Sequence, residues 1–112
     1  SDGSQSRDFL FIDDFVNLIK KILNKKKDNI NGQIFNVGTG KPLLIKVVIK
    51  TIVKKIKSGQ PVFGKIKLRK DEILKMYPSI SKVKRMINWT PRIPFEKGLN
   101  KTIVYYAKKL KK

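Results

Sequence analysis

Between Leu43 and Lys57, Ile45, Val48, Ile49, Ile52, Val53 and Ile56 recur every three or four positions, with Lys46, Lys50, Lys54 and Lys57 on the opposite side. That period is helical and excludes an alternating strand. It predicts a helix over 43–57 with the aliphatic side inward, ended by Ser58-Gly59, where glycine accepts the left-handed backbone of a helix terminus. The same spacing recurs in Phe15, Leu18, Ile19, Ile22 and Leu23, and again in Phe95, Leu99, Ile103, Tyr106, Ala107 and Leu110. A chain of 112 residues with three one-sided helices is one small domain or a piece of a larger one, and each apolar stripe needs a covering surface.

The remaining segments predict short elements. Phe9–Ile12 suits a brief buried strand, and Asp13 or Asp14 then caps the first helix. Lys25, Lys26 and Lys27 fall near the end of that helix, where cations complement the dipole. Asp28-Asn29-Ile30-Asn31-Gly32 reads as a turn, Ile34–Val37 as a strand running into Gly38-Thr39-Gly40, and Val62–Leu68 as a weakly alternating strand. Ser81 caps a short helix through Ile87, and the last helix begins near Pro94, which suits a first turn because its missing N–H has no partner there. Lys108–Lys112 reads as a fraying end. The class expected is α/β (α+β-like), rich in helix with a few short strands.

Composition narrows the chemistry. There is no cysteine and no histidine, so thiol nucleophiles, thiolate metal sites and imidazole acid–base catalysis are excluded. No apolar run reaches the roughly 18–20 residues that span a bilayer, and the first residues lack a secretory leader pattern. No membrane partner is expected, and the setting expected is cytoplasmic. The net charge of +19 is unevenly spread: residues 1–40 hold six cations against five acids, residues 41–112 hold 21 against three. Such a surface can attract phosphate, nucleic acid or anionic lipid. Yet 23 of the cations are lysine and only four are arginine, the residue that bidentate phosphate and base recognition favours. Solvated lysine faces are therefore expected ahead of a nucleic-acid site.

Seven signatures then appear in fixed order: Gln5-Ser6-Arg7-Asp8-Phe9, Asp13-Asp14, Ile34-Phe35-Asn36-Val37-Gly38-Thr39-Gly40, Arg69-x-x-Glu72, Ser81-Lys82, Asn88-Trp89-Thr90-Pro91 and Glu96-Lys97-Gly98-Leu99. From about Gly3 to Tyr106 this succession resembles the C-terminal part of the extended short-chain dehydrogenase/reductases, the NAD(P)-dependent sugar-nucleotide epimerases and dehydratases. Arg7 and Asp8, taken alone, read as a surface charge pair; the resemblance gives Arg7 a grip on the diphosphate of a nucleotide sugar, with Asp8 orienting the arginine or its loop. Arg69 and Glu72, taken alone, read as a solvated charged turn. The resemblance makes Arg69 a second diphosphate ligand and Glu72 an acceptor for the ribose hydroxyls, chemistry that suits a fixed cation and an acceptor-only carboxylate. Ser81 and Trp89 take structural parts, a cap and an aromatic anchor.

The resemblance also implies what this stretch does not carry. Residues 1–112 would be the substrate-binding segment, with the Rossmann domain that binds NAD or NADP absent and no cofactor bound by the segment alone. Residues 13–37 would be a helix and strand that pack on that missing domain, leaving an edge open to self-association or rearrangement. Asn36-Val37-Gly38-Thr39-Gly40 lacks the third glycine of a dinucleotide loop, and Pro42 stands where a phosphate-binding loop of the Walker type needs Ser or Thr. Tyr105-x-x-x-Lys109 matches the family's catalytic pair in form, but that pair lies upstream of the matched segments in the resembled enzymes, so no catalytic residue is assigned. Two departures stand out. Leu44 and Val47 occupy the places of a capping box, and Asn88 replaces the usual glycine before tryptophan. The first expectation is thus a sugar-nucleotide-binding fragment not catalytically competent alone. The alternatives are a small basic nucleic-acid or polyanion-binding module, and a noncatalytic partner that completes a separate Rossmann chain.

Overall fold

In the computed structural model, residues 1–25 and 30–110 are described; Lys26, Lys27, Asp28, Asn29, Lys111 and Lys112, with the expectations resting on them, lie outside. The elements run β1 (Ser6–Arg7), α1 (Ile12–Leu23), β2 (Leu43–Leu44), α2 (Ile45–Ile56), β3 (Lys75–Met76), α3 (Ser81–Ile87) and α4 (Phe95–Lys109). The protein is a helix-rich α/β chain with one three-stranded sheet in the order β2-β1-β3. β1 is antiparallel to β2, with Arg7 opposite Leu43, and parallel to β3, with Arg7 opposite Met76.

The first strand sits earlier than the apolar run Phe9–Ile12 implied. Phe11 is already the residue before α1, and Phe9 and Phe11 use their rings on α4 instead of joining a ladder. Phe9 meets Phe95 edge-on at 5.6 Å between ring centres, and Phe11 packs on Gly98, where a Cβ would come within 2.9–3.1 Å of the ring and its stem. The third strand also differs. Val62–Leu68 forms turns, with Gly64 at φ 81° and Phe63 under the Lys46 ammonium, and the ladder forms instead at Lys75–Met76. Ile34–Val37 pairs with no strand among the described residues, and Ile34 is 82% exposed.

Helix ends correct several expectations. Asp13 and Asp14 lie inside the first turn of α1 and cap nothing, because both carboxylates are drawn to α4 and the segment before it. Asp13 accepts from Lys101 Nζ at 2.9 Å. α2 likewise has no side-chain cap, and the missing capping box is replaced by backbone: Ile45 N–H donates to Gln5 O at 2.8 Å and Lys46 N–H to Gly3 O at 2.9 Å. Its left-handed terminal residue is Lys57 (φ 55°), ahead of Gly59. Ser81 is the first residue of α3, with Ile80 before it, and caps nothing by side chain. Asn88 ends α3 at φ 53°, ψ 47°, a conformation asparagine adopts more readily than other non-glycine residues. α4 runs regularly to Lys109, two residues into the expected fraying end, of which Lys111 and Lys112 lie outside the described residues.

The core is small. Leu18, Val83, Ile87 and Trp89 are fully buried, flanked by Leu10, Ile22, Phe35, Val37 and Ile80, so α1 and α3 close around the tryptophan. Asp14 secures this junction: its backbone carbonyl accepts from Trp89 Nε1 at 3.2 Å, and its carboxylate accepts from Arg92 N at 3.0 Å and Ile93 N at 2.8 Å. Parts of the α1 and α4 stripes stay uncovered: Phe15, Ile19 and Leu23 on α1 are exposed, as are Tyr106 and Ala107 on α4 and Leu110 just beyond it, whereas on α2 only Ile56 at the end of the stripe is. The molecule measures 51 × 42 × 20 Å with a radius of gyration of 17.2 Å. A compact domain of this length would have about 13 Å. The chain is a thin slab with apolar side chains on its surface.

Candidate functional site

The parallel pairing of β1 with β3 builds the site. Ser6 N–H donates to Leu74 O at 2.6 Å, which aligns Arg7 with the segment that ends the long connection from α2. Arg7 then fixes its own head group: Nη1 donates to Ser6 O at 2.9 Å and to Ile73 O at 2.8 Å. Its Nη2 faces Glu72 Oε1 at 2.5 Å. Arg69, one helical-type turn before Glu72, brings Nε to 3.6 Å from the other carboxylate oxygen. Arg7, Arg69 and Glu72 therefore converge in space although 62 residues separate the first two in sequence.

Their environments differ. The Glu72 side chain is only 12% exposed and holds both guanidinium groups; the Arg69 side chain is 83% exposed and, among the described residues, tethered by that contact alone. Arg7 is thus a fixed cation and Arg69 an adjustable one. Together with Asp71, Ile73 and Met76 they line a cleft of about 190 Å3. A second cleft, of about 510 Å3, shares Arg7 and Met76 and continues past Asp8, Asn36, Val37, Tyr77, Pro78 and Ser79. Two cations with a carboxylate beside them stand at one end of this run, and Tyr77 and Pro78 form a wall beyond.

Asp8 does not touch Arg7. Its carboxylate accepts from Thr39 N at 2.8 Å, Thr39 Oγ1 at 2.7 Å and Gly40 N at 2.7 Å, so it pins the Gly38-Thr39-Gly40 turn. Gly38 is required there, since a Cβ would collide with Pro78 and come within 2.9 Å of Asp8 Oδ2. The same geometry tests the turn as a seat for a dinucleotide. Its amides already face a carboxylate, which would repel a pyrophosphate and leave it no donors. The turn does not fit the NAD pyrophosphate, and no hydride step is assigned to residues of this chain.

Other sequence candidates fall away from the site. Trp89 is 1% exposed and is an anchor, with no face for a ligand. Tyr105 lies on the exposed side of α4, edge-on to Tyr106 at 5.2 Å, and lines neither cleft. Asn36 lines the larger cleft and is exposed. Met76, Tyr77 and Pro78 were not singled out for the site; only the β1–β3 register brings them beside Arg7. Among the described residues no group of acids has the spacing to hold a metal ion, and no helix is long and apolar enough to cross a membrane.

The chain is similar to known proteins in both sequence and fold. The profile of the GDP-mannose 4,6 dehydratase family matches residues 1–102. Over 100 residues the chain is 35% identical to CDP-abequose synthase of Salmonella muenchen, covering 88% of this chain and 33% of that protein. UDP-glucose 4-epimerase of Thermotoga maritima, solved with UDP-glucose, superimposes with a TM-score of 0.83 at 27% identity, covering 98% of this chain and 34% of that one. The Bordetella bronchiseptica enzyme WbmG, solved with NAD and UDP, shares the fold at a TM-score of 0.77 and 23% identity, over 94% of this chain and 32% of that one. The chain spans about a third of the length of these relatives. On this match, and on a fold shared nearly end to end, the chain belongs to the GDP-mannose 4,6 dehydratase family of NAD-dependent sugar-nucleotide epimerases and dehydratases.

Proposed function

We propose that residues 1–112 form the segment of a sugar-nucleotide epimerase or dehydratase that grips the nucleotide diphosphate, with the cofactor held by a Rossmann unit outside these residues. One observation carries the reading: Arg7 and Arg69 meet over a single carboxylate, Glu72, at the mouth of a cleft. Two guanidinium groups suit a diphosphate, and a nearby carboxylate suits the diol of a ribose. The slab shape and the exposed stripe on α1 support a partner surface on that side, which residues 13–37 would join. NAD or NADP, when bound by that partner unit, would supply the redox chemistry; this chain's part is to hold and orient the activated sugar.

The test is calorimetric titration of UDP-glucose and CDP into the chain assembled with its cofactor domain. Arg7→Ala should weaken binding by roughly 10-fold or more, the loss of a charge-assisted hydrogen bond of about 1.5–3 kcal/mol. Arg69→Ala, at an exposed position, should cost roughly 2- to 5-fold. Unchanged affinity in both variants would end the assignment.

A further inference from the structure

The carboxylate that the proposed function gives to the ribose is already engaged, by both cations meant for the diphosphate. We infer that Glu72 is a built-in counter-anion, so that the diphosphate and nucleoside parts of a ligand bind with positive coupling. The inference rests on the proposed function and adds a rule for how that site fills.

The argument follows from pairing. Glu72 Oε1 lies 2.5 Å from Arg7 Nη2, and Oε2 lies 3.6 Å from Arg69 Nε. With its side chain 12% exposed, water can do little to solvate a carboxylate left alone there. A diphosphate arriving alone takes the guanidinium groups and strands Glu72 beside a second anion. A nucleoside arriving alone must pull Glu72 off Arg7, leaving a cation without its partner. A nucleoside diphosphate does both at once, since its diphosphate replaces the carboxylate and its ribose hydroxyls replace the guanidinium. Only the complete ligand leaves every charged group paired.

The rest of the site allows the exchange without rebuilding. Arg7 keeps its place through Nη1, which stays bound to Ser6 O and Ile73 O when Nη2 changes partner. The Arg69 side chain is 83% exposed and, among the described residues, held only by Glu72, so it can follow the incoming phosphate. Glu72 rides on the connection before β3, where its amide donates to Arg69 O at 3.2 Å, a turn that holds the pair in register.

The experiment uses inorganic pyrophosphate, uridine, UDP and 2′-deoxy-UDP, titrated into the wild-type chain assembled with its cofactor domain and into the same assembly carrying Glu72→Gln. In the wild type, saturating pyrophosphate should tighten uridine, and uridine should tighten pyrophosphate by the same factor, as linkage requires. In Glu72→Gln, pyrophosphate should bind about fivefold more tightly, because the competing anion is gone. The preference for UDP over 2′-deoxy-UDP should shrink at the same time. Pyrophosphate that binds the variant equally or more weakly overturns the inference while leaving the proposed function intact, because Glu72 would then only orient the arginines. Independent binding of uridine and pyrophosphate to the wild type overturns it without any variant. Failure of both proteins to bind pyrophosphate and UDP removes the proposed function and this inference with it.

Discussion

Asp14→Ala is the perturbation that most directly tests how this small core is held. The Asp14 carboxylate is buried and accepts from two backbone amides, Arg92 N and Ile93 N, in the segment leading into α4. Its own carbonyl receives the Trp89 indole, so one residue joins α1, the turn after α3 and the approach to α4. Removing the carboxylate leaves two donors without an acceptor. At about 1.5 kcal/mol for each bond to a charged group, the loss is about 3 kcal/mol. For a chain of this size that lowers the melting midpoint by roughly 10–15 °C. Asp14→Asn keeps one acceptor oxygen and should lose about half as much. The control is Asp13→Ala, which removes an exposed ion pair to Lys101 and should cost no more than about 0.5 kcal/mol. Far-UV circular dichroism melts of the three variants decide the matter. If Asp14→Ala melts within a few degrees of Asp13→Ala, the carboxylate is not what joins these elements.

Three further outcomes are expected. Gly38→Ala should destabilise by about 1–3 kcal/mol and weaken UDP binding together, because the new methyl displaces Pro78 from the cleft wall; a stable variant with weakened binding would show that only the wall has moved, and no change in either would refute the packing. Asn88→Val should cost about 1–2 kcal/mol at its left-handed position while Asn88→Gly is neutral or better, and equal melting of the two would contradict the backbone argument. Amides of Ile34–Val37 should exchange rapidly in dilute solution; strong protection there would refute the unpaired strand, and protection that rises with concentration would indicate self-association through it.

The three helices and α3 were legible because apolar spacing is a local property, and α2 and α4 lie close to where the period places them. The strands were not. Each is two residues long and exists only because distant segments meet, and nothing local in Lys75-Met76 marks it as β3. Apolar runs that looked like strands served other ends: Phe9 and Phe11 pack on α4, and the Val62–Leu68 run turns at Gly64. The acids were misread for the same reason. Asp13 and Asp14 precede an apolar helical run and so looked like caps, but the helix starts before them at Ile12 and their carboxylates meet donors across the molecule. The family resemblance singled out Arg7, Arg69 and Glu72 one by one, whereas their mutual pairing was not legible, since it depends on the β1–β3 register. Asp8 shows the limit most clearly: adjacency to Arg7 suggested a partnership, and the carboxylate instead reaches 31 residues ahead to Thr39.

Trp89 is the chain's single tryptophan, sealed from solvent with its indole N–H committed to Asp14. Its ultraviolet emission should therefore be blue-shifted and poorly quenched by iodide in the folded chain. Any red shift then reports loosening where α1 and α3 meet, with no other indole to confuse the signal. The fold thus carries its own optical gauge, lining neither of the clefts beside Arg7 and suited to separating loss of structure from loss of ligand.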